Sequence, residues 1–284
     1  MAMPEQPRRG MSRGAAIVLV ILFLAIGLGA GWYYRGTTVT PEPVPKSVIE
    51  RIYRNGEMVV GTDAAFPPFE NVNTTSGRIE GFDIDLINEV AKFMGVSVRV
   101  VNTGWDPLFI QIPAKTLDMG ISAMTITDDR NRTLLFSDPY FISDLSIVVR
   151  KNGPMEGVIS QPADLQGRRI AFQEFTTSDT WVNDTLIATM GINPSEVRKT
   201  VAFTDAIQLL LADQVDAVII DKPVGEGYES AGSVTLVYTI VTNETFGIPM
   251  PKGELALKAV VDAALEFIRE SGKYAELIQK WFVG

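Results

Sequence analysis

The chain contains no cysteine and no histidine among its 284 residues. Without histidine there is no imidazole base, no Ser–His or Cys–His nucleophile system and no imidazole metal ligand. Without cysteine there is no disulfide, no thiolate metal site and no lipid-modified cysteine, so any membrane attachment must come from the polypeptide itself. The missing disulfides leave the compartment open, since an exported protein can do without them. Positive charge is also short, with 25 Lys and Arg against 34 Asp and Glu. What is present is 46% hydrophobic and 21% charged residues, enough for one or two domains with substantial cores. This inventory calls for neither a metal nor a cofactor, and it favours binding over bond-breaking chemistry.

One long uncharged run stands out, Gly14 to Tyr34, preceded by Arg8, Arg9 and Arg13 and closed by Trp32, Tyr33 and Tyr34. It has the roughly 20 residues needed to cross a bilayer core, with basic residues on the inner flank and aromatics at the opposite interface. Residues 1–36 are therefore expected to be a basic tail plus a transmembrane anchor. The alternative is a cleaved signal peptide, for which Gly27, Gly29 and Ala30 are small enough. Either way the remainder lies outside the cytoplasm, at the cell membrane or released. Residues 37–46, with Pro41, Pro43 and Pro45, read as a stiff tether. Setting aside Arg8, Arg9, Arg13, Arg35 and Glu5 leaves 21 basic and 33 acidic residues, a net charge of −12. A domain this acidic is a poor partner for nucleic acid or anionic lipid.

Beyond the tether, strand and helix patterns alternate. Met58 to Gly61 and Val96 to Val101 read as strands, and Phe82 to Met94 as a helix stopped by Gly95. A helix starts near Pro107, and Leu117 to Ala123 forms the next strand. Arg168 to Phe172 and Ala217 to Ile220 are further strands, with helix starts at Thr176 and Thr204. Two amphipathic helices fill the last 30 residues. Such alternation predicts an α/β fold of parallel-rich sheets wrapped by helices, with ligands beyond the carboxyl ends of the strands. The segment Ile121 to Arg130, leading to Phe136-Ser137-Asp138-Pro139-Tyr140, is equipped to hold a carboxylate. Arg130 offers the planar pair of donors that matches two carboxylate oxygens.

Seven pieces in order then carry a resemblance over residues 47–284: Val60-Gly61-Thr62-Asp63-Ala64-Ala65-Phe66-Pro67-Pro68-Phe69-Glu70, Gly81-Phe82-Asp83-Ile84-Asp85-Leu86, Thr125-Ile126-Thr127-Asp128-Asp129-Arg130, the Phe136 to Tyr140 segment, Asp164-Leu165-Gln166-Gly167, Asp216 to Asp221, and Trp281-Phe282. Together they resemble the family 3 solute-binding proteins of polar amino-acid ABC transporters. The resemblance implies a periplasmic-binding-protein-like fold of two lobes on a two-stranded hinge. Residues 47–141 and 247–284 would form lobe 1, and residues 142–246 lobe 2 with the hinge strands. It implies that Arg130 pairs with the ligand's α-carboxylate and that Asp221 receives its α-ammonium. Thr125 would add its backbone N–H and hydroxyl to the carboxylate, Ala123 its carbonyl to the ammonium, and Thr177 a further N–H. Phe66 and Trp105 would flank the ligand side chain, whose tip Asp63 would meet. Gln173 stands where the glutamine-binding pattern has lysine, so an acidic side chain finds no second cation. Arginine, lysine or glutamine is then the expected ligand, and a membrane permease the expected partner.

Blander readings stay open at this level. Arg130 could be a surface arginine paired with Asp128 or Asp129, and Asp221 a helix cap before Pro223. Asp63 and the Thr176 to Asp179 segment could be capping residues, and Phe66 and Trp105 core aromatics. Asp83 and Asp85 read as supports for the first helix. Two functional alternatives remain, a ligand-sensing ectodomain and an aromatic-acid dehydratase on the same scaffold. The dehydratase would need Glu174, Asp63 or Lys222 as an acid in the cleft.

Overall fold

The structure, a computed structural model, describes residues 47–283. The expected anchor, its basic tail and the tether lie outside the described residues. Among the described residues no helix is long and apolar enough to cross a membrane.

Ser47 caps helix α1 (Val48–Asn55), and Gly56, at φ +67°, ends it and turns the chain into strand β1 (Glu57–Thr62). A short antiparallel meander follows, β2 (Ala65–Phe66), β3 (Glu70–Val72) and β4 (Ile79–Glu80). Helix α2 (Phe82–Met94) buries Phe82, Leu86, Ile87, Val90 and Met94, and Gly95 closes it in a left-handed conformation. Strand β5 (Ser97–Asn102), helix α3 (Trp105–Gln111) and strand β6 (Met119–Gly120) complete the first half. Strands β5, β1 and β6 form a three-stranded sheet in that order, parallel throughout.

After β7 (Leu134–Phe136), the long β8 (Phe141–Arg150) leads into a second sheet. It is followed by β9 (Ile170–Gln173), α4 (Thr177–Trp181) with a π-helical continuation over Val182–Thr189, β10 (Val197–Thr200), α5 (Phe203–Leu211), β11 (Ala217–Asp221) and α6 (Lys222–Ser230). The long β12 (Val234–Phe246) runs back out. This sheet has the order β10-β9-β11-β8-β12, parallel across its first three strands and antiparallel across the others. Strand β13 (Pro249–Pro251) then pairs with β7, and helices α7 (Leu255–Glu270) and α8 (Lys273–Ile278) end the chain. Helix α7 packs on α2 and α1, so the C-terminal segment covers the first sheet. The α/β architecture and its two lobes, one around each sheet, are as expected.

Some local expectations needed correction. The apolar run Leu117 to Ala123 supplies only two strand residues, because Ala123 turns at φ +43° and the chain leaves the sheet. Helix α3 starts at Trp105 rather than near Pro107, placing Pro113 beyond its end.

Strands β8 and β12 pair from Phe141↔Phe246 to Arg150↔Val234 and link the two sheets. Their crossing is packed on a cluster of rings. Phe69, fully buried, lies 5.0 Å from Phe141, 5.5 Å from Phe246 and 5.2 Å from Phe282, centroid to centroid. Gly81 permits this approach. A Cβ there would stand 2.0 Å from the Phe69 carbonyl oxygen, and its φ of +142° disfavours other residues. Truncating a buried phenylalanine loses its transfer energy and leaves a cavity. Phe69→Ala should lower the stability of the 47–284 domain by about 3 to 5 kcal/mol. Urea unfolding checks this; a loss below about 1 kcal/mol would mean that the cluster repacks freely.

Candidate functional site

The carboxyl ends of strands from both sheets converge. Strand β1 delivers Asp63, and the segment after β6 delivers Ser122, Ala123 and Thr125. Strand β9 ends at Gln173 and leads to Thr177, while β11 ends at Asp221. These residues, with Phe66, Trp105 and Arg130, line a single cleft of about 470 Å³ of atom-free space. All nine residues singled out in the sequence therefore meet at one place.

Arg130 is held from several sides. One guanidinium nitrogen donates to the Thr125 carbonyl at 2.8 Å and another to the Phe175 carbonyl at 3.2 Å. Its guanidinium carbon lies 5.1 Å from the Trp105 ring centre and 5.6 Å from that of Phe109. Burial lowers its pKa to about 10, against the opposing charges of Glu244, Asp221 and Asp129, so it stays cationic at neutral pH. Asp129 pairs with Arg132 instead, at 3.2 Å. Asp221 stands at the N-cap position of α6, yet its side chain makes no capping bond. Burial first, and the Glu244 charge second, hold its pKa well above the usual carboxylate range.

The cleft is drawn shut by bonds across it. Gln173 donates to Asp63 at 3.1 Å and to the Val201 carbonyl at 2.9 Å. The Trp105 indole donates to the Phe175 carbonyl at 3.2 Å. Burial raises the Asp63 pKa, while the Gln173 bond opposes that rise. The segment at Thr176 does cap its helix, with the Asp179 N–H donating to the Thr176 hydroxyl at 3.3 Å and the Phe175 N–H to the Asp179 carboxylate at 3.0 Å. One expectation is corrected. The Thr125 hydroxyl donates to Glu244 at 2.7 Å, and a hydroxyl has one proton, so Thr125 is left with its backbone N–H for an incoming anion.

Other lining residues escaped the sequence reading. Phe203 faces Phe66 edge to face, with ring centres 5.5 Å apart. Its neighbour Thr204 looked like the helix start, and a lone phenylalanine beside it gave no further signal. Glu70 lines the cleft with no exposed surface, and Asp83 behind it is equally buried. Glu70 Oε1 accepts from the Ser122 hydroxyl at 2.7 Å, and the Asp63 N–H donates to that same hydroxyl at 3.1 Å. Asp83 Oδ2 accepts from the Ala123 N–H at 2.7 Å and the Tyr140 hydroxyl at 2.8 Å. The other oxygen of each carboxyl, Glu70 Oε2 and Asp83 Oδ1, has no donor. A proton shared between the two carboxyls would supply what both lack. Burial and the Asp83 charge push Glu70 well above its ordinary range, and burial moves Asp83 to about 7. Glu174 and Lys222 are not among the residues lining the cleft, and Lys222 pairs with Glu226.

A two-lobe α/β fold closed over a polar cleft is the architecture of a solute-binding protein. The chain belongs to the bacterial extracellular solute-binding proteins, family 3, whose model matches residues 58–284. It is 28% identical over 243 residues to the L-cystine-binding protein TcyJ of Escherichia coli K12, covering 84% of this chain and 86% of that one. Among solved structures, the P235GK mutant of ArgBP from T. maritima aligns with a TM-score of 0.76 and 34% identity, over 84% of this chain and all of the other. The arginine-, lysine-, histidine-binding protein ArtJ from Geobacillus stearothermophilus aligns with a TM-score of 0.71 and 38% identity, over 80% and 96% of the two chains.

The carboxyl pair makes stability depend on pH. Both groups take up protons more readily when folded, so the folded state binds more protons than the unfolded one and stability falls as pH rises. The stabilisation is complete below the ordinary carboxylate pKa values and is lost as pH climbs toward and past about 7. Melting temperatures of the 47–284 domain should drop across that window. Glu70→Gln, which donates permanently, should flatten the drop; an equally steep profile in that variant would refute the shared proton.

Proposed function

We propose that the cleft captures a polar or cationic α-amino acid outside the cytoplasm and that the chain delivers it to the permease of an ABC importer. The observation that carries this reading is the meeting of Asp63, Phe66, Trp105, Ala123, Thr125, Arg130, Gln173, Thr177 and Asp221 around one closed cleft. Arg130 is the one basic residue lining it among the described residues, and Asp221 the acid at the end of β11. A zwitterion matches that pair: carboxylate toward Arg130 and the N–H groups of Thr125 and Thr177, ammonium toward Asp221 and the Ala123 carbonyl. The Ala123 N–H is already given to Asp83, so the carbonyl is the backbone group it has left to offer.

The side chain of the ligand would run along the Phe66–Phe203 pair, with its tip at Asp63. Asp63 and Asp221 outnumber the single lining guanidinium, which favours arginine or lysine, with glutamine next. Relatives named for arginine, lysine and histidine support the same direction. In this reading residues 47–141 and 247–284 move as one lobe and 142–246 as the other, hinged where β8 and β12 cross. Only contacts that differ between open and closed forms can drive the closure.

Residues 14–34 would hold the domain at the membrane. Fractionation of cells expressing the full chain should find it in the membrane fraction with its N-terminus intact; a protein recovered wholly soluble and shortened by about 30 residues would identify a cleaved signal instead.

Calorimetric titration of the purified 47–284 domain tests the site. Arginine and lysine should bind more tightly than glutamine, and Arg130→Ala should weaken every amino acid by about 2 to 4 kcal/mol, the range for unpairing a buried charge. Asp63→Asn should reduce the affinity for arginine and lysine more than for glutamine. Full affinity in Arg130→Ala would sink the assignment, and equal losses in Asp63→Asn would make Asp63 a structural residue.

A further inference from the structure

Glu244 was not marked by the sequence and does not line the cleft, yet its carboxylate touches both sides of it. Oε2 accepts from the Thr125 hydroxyl at 2.7 Å and from the Thr177 hydroxyl at 2.8 Å. Thr125 follows β6 of the first sheet, and Thr177 begins α4 above the second. Glu244 itself sits in β12, opposite Ser143 of β8, where the chain passes from one sheet to the other. One oxygen atom therefore ties three separate parts of the fold.

The local backbone explains how Glu244 comes to stand there. The β8–β12 register shifts between Ile240 and Glu244, so Val241, Thr242 and Asn243 stand against Asp144 alone. The Asp144 carboxylate accepts from the Thr242 and Asn243 N–H groups, at 2.9 Å each, and Asn243 adopts a φ of +51°. A bulge bends the strand and re-aims the side chain that follows it. Below the bulge the ladder resumes, and Thr125 lies beside Phe246 in an isolated bridge. Ile126 donates to the Thr245 carbonyl at 2.8 Å and Gly247 to the Met124 carbonyl at 3.0 Å. Thr125 is thus fixed to β12 through its neighbours, while its own N–H makes no hydrogen bond among the described residues. Thr177 is joined to this junction by its hydroxyl.

We propose that Glu244 is a positioning residue for ligand capture: by drawing the Thr125 and Thr177 hydroxyls to one oxygen, it stabilises the closed cleft and aims the backbone N–H groups of both threonines at the ligand's carboxylate. The inference rests on reading those two threonines as the carboxylate-holding residues. Each hydroxyl carries one proton, and both protons go to Glu244, so the side chains serve closure and the main chain serves recognition. Because Thr125 and Thr177 come from different lobes, both bonds exist together only at the closed angle. Glu244 then acts on every ligand alike, through the closed population, rather than on the choice among ligands.

The test uses the 47–284 domain, calorimetric affinities for arginine, lysine and glutamine, and the inter-lobe distance from a pair of spectroscopic labels on the two lobes. Glu244→Ala should weaken all three ligands about tenfold or more, the worth of one hydrogen bond to a charged group. The order of preference should stay unchanged and the label distance should shift toward the open form. Glu244→Gln keeps a carbonyl oxygen that accepts both hydroxyls and should restore most of the affinity. Thr177→Val should weaken binding in the wild-type background and add nothing in the Glu244→Ala background, since the two share one interaction. Wild-type affinity in Glu244→Ala overturns the inference, as does an equal loss in Glu244→Gln or an additive loss with Thr177→Val. If Glu244→Ala does not fold, Thr125→Val and Thr177→Val carry the test; independent, additive losses would overturn it. A domain that binds none of the three ligands, or an Arg130→Ala variant with full affinity, would instead break the amino-acid reading beneath it.

Discussion

A buried charge must be neutralised, paired or hydrogen-bonded, and this cleft gathers more negative groups than its single arginine can answer. Asp63, Glu70 and Asp221 line it, with Asp83 and Glu244 directly behind. Each acid meets the constraint in a different way. Glu70 and Asp83 have raised pKa values that favour holding a proton, Glu244 takes two hydroxyls, and Asp63 takes the Gln173 amide across the cleft. At Asp221 burial and the Glu244 charge raise the pKa, a backbone hydrogen bond and the Arg130 charge oppose that rise, and the side chain makes no capping bond to its own helix. In the proposed reading a ligand ammonium is the group that would neutralise it.

Arg130 meets the same constraint with the opposite sign. The Thr125 carbonyl and two aromatic rings of its own lobe hold the guanidinium in place, and the Phe175 carbonyl joins them across the cleft. Such an arrangement fixes the fork and keeps it charged, and preorganisation of this kind removes part of the ordering cost of binding. It also revises the role of Trp105. One of its faces belongs to Arg130, so the ring supports the carboxylate clamp as well as bordering the side-chain space. The aromatic partner opposite Phe66 is Phe203, from the other lobe.

The sequence was most legible where a residue's type already states its task. A lone arginine after small and hydroxyl residues, or an aspartate at the end of a buried strand, announces itself, and all nine such residues meet in the cleft. It was least legible where burial reverses a residue's ordinary meaning. Asp83 opens a helix and looks like a first-turn acid, yet it is fully buried and holds Ala123 and Tyr140. Asp85, half-buried, has that ordinary role, pairing with Lys280 and the Trp281 indole. Nothing in the spacing of two acids separates these fates, because both depend on what the C-terminal helices cover. Glu244 was hidden for a related reason. A bulge opposite Asp144 decides where it points, and bulges leave little trace in an alternating pattern. The strand read over Leu117 to Ala123 failed for the converse reason, since an apolar run does not reveal a positive φ at Ala123.

These features together separate two tasks that a simple clamp would merge. Closure depends on groups that the two lobes exchange: Gln173 with Asp63, Trp105 and Arg130 with Phe175, and the threonine hydroxyls with Glu244. In the proposed reading, recognition depends on groups those exchanges leave over: the remaining guanidinium donors, the Thr125 N–H and the Asp221 carboxylate. A ligand can shift the open–closed equilibrium only by the difference in its contacts with the two states. Since the protein already supplies much of the closing contact, that difference falls chiefly on the two ends of a zwitterion held between lobes. An acid lacking the ammonium would leave Asp221 unanswered, and an amine lacking the carboxylate would leave Arg130 unanswered. On that reading either would bind to one lobe without bringing the other to it, so selection of an α-amino acid would follow from the need to answer Arg130 and Asp221 at once.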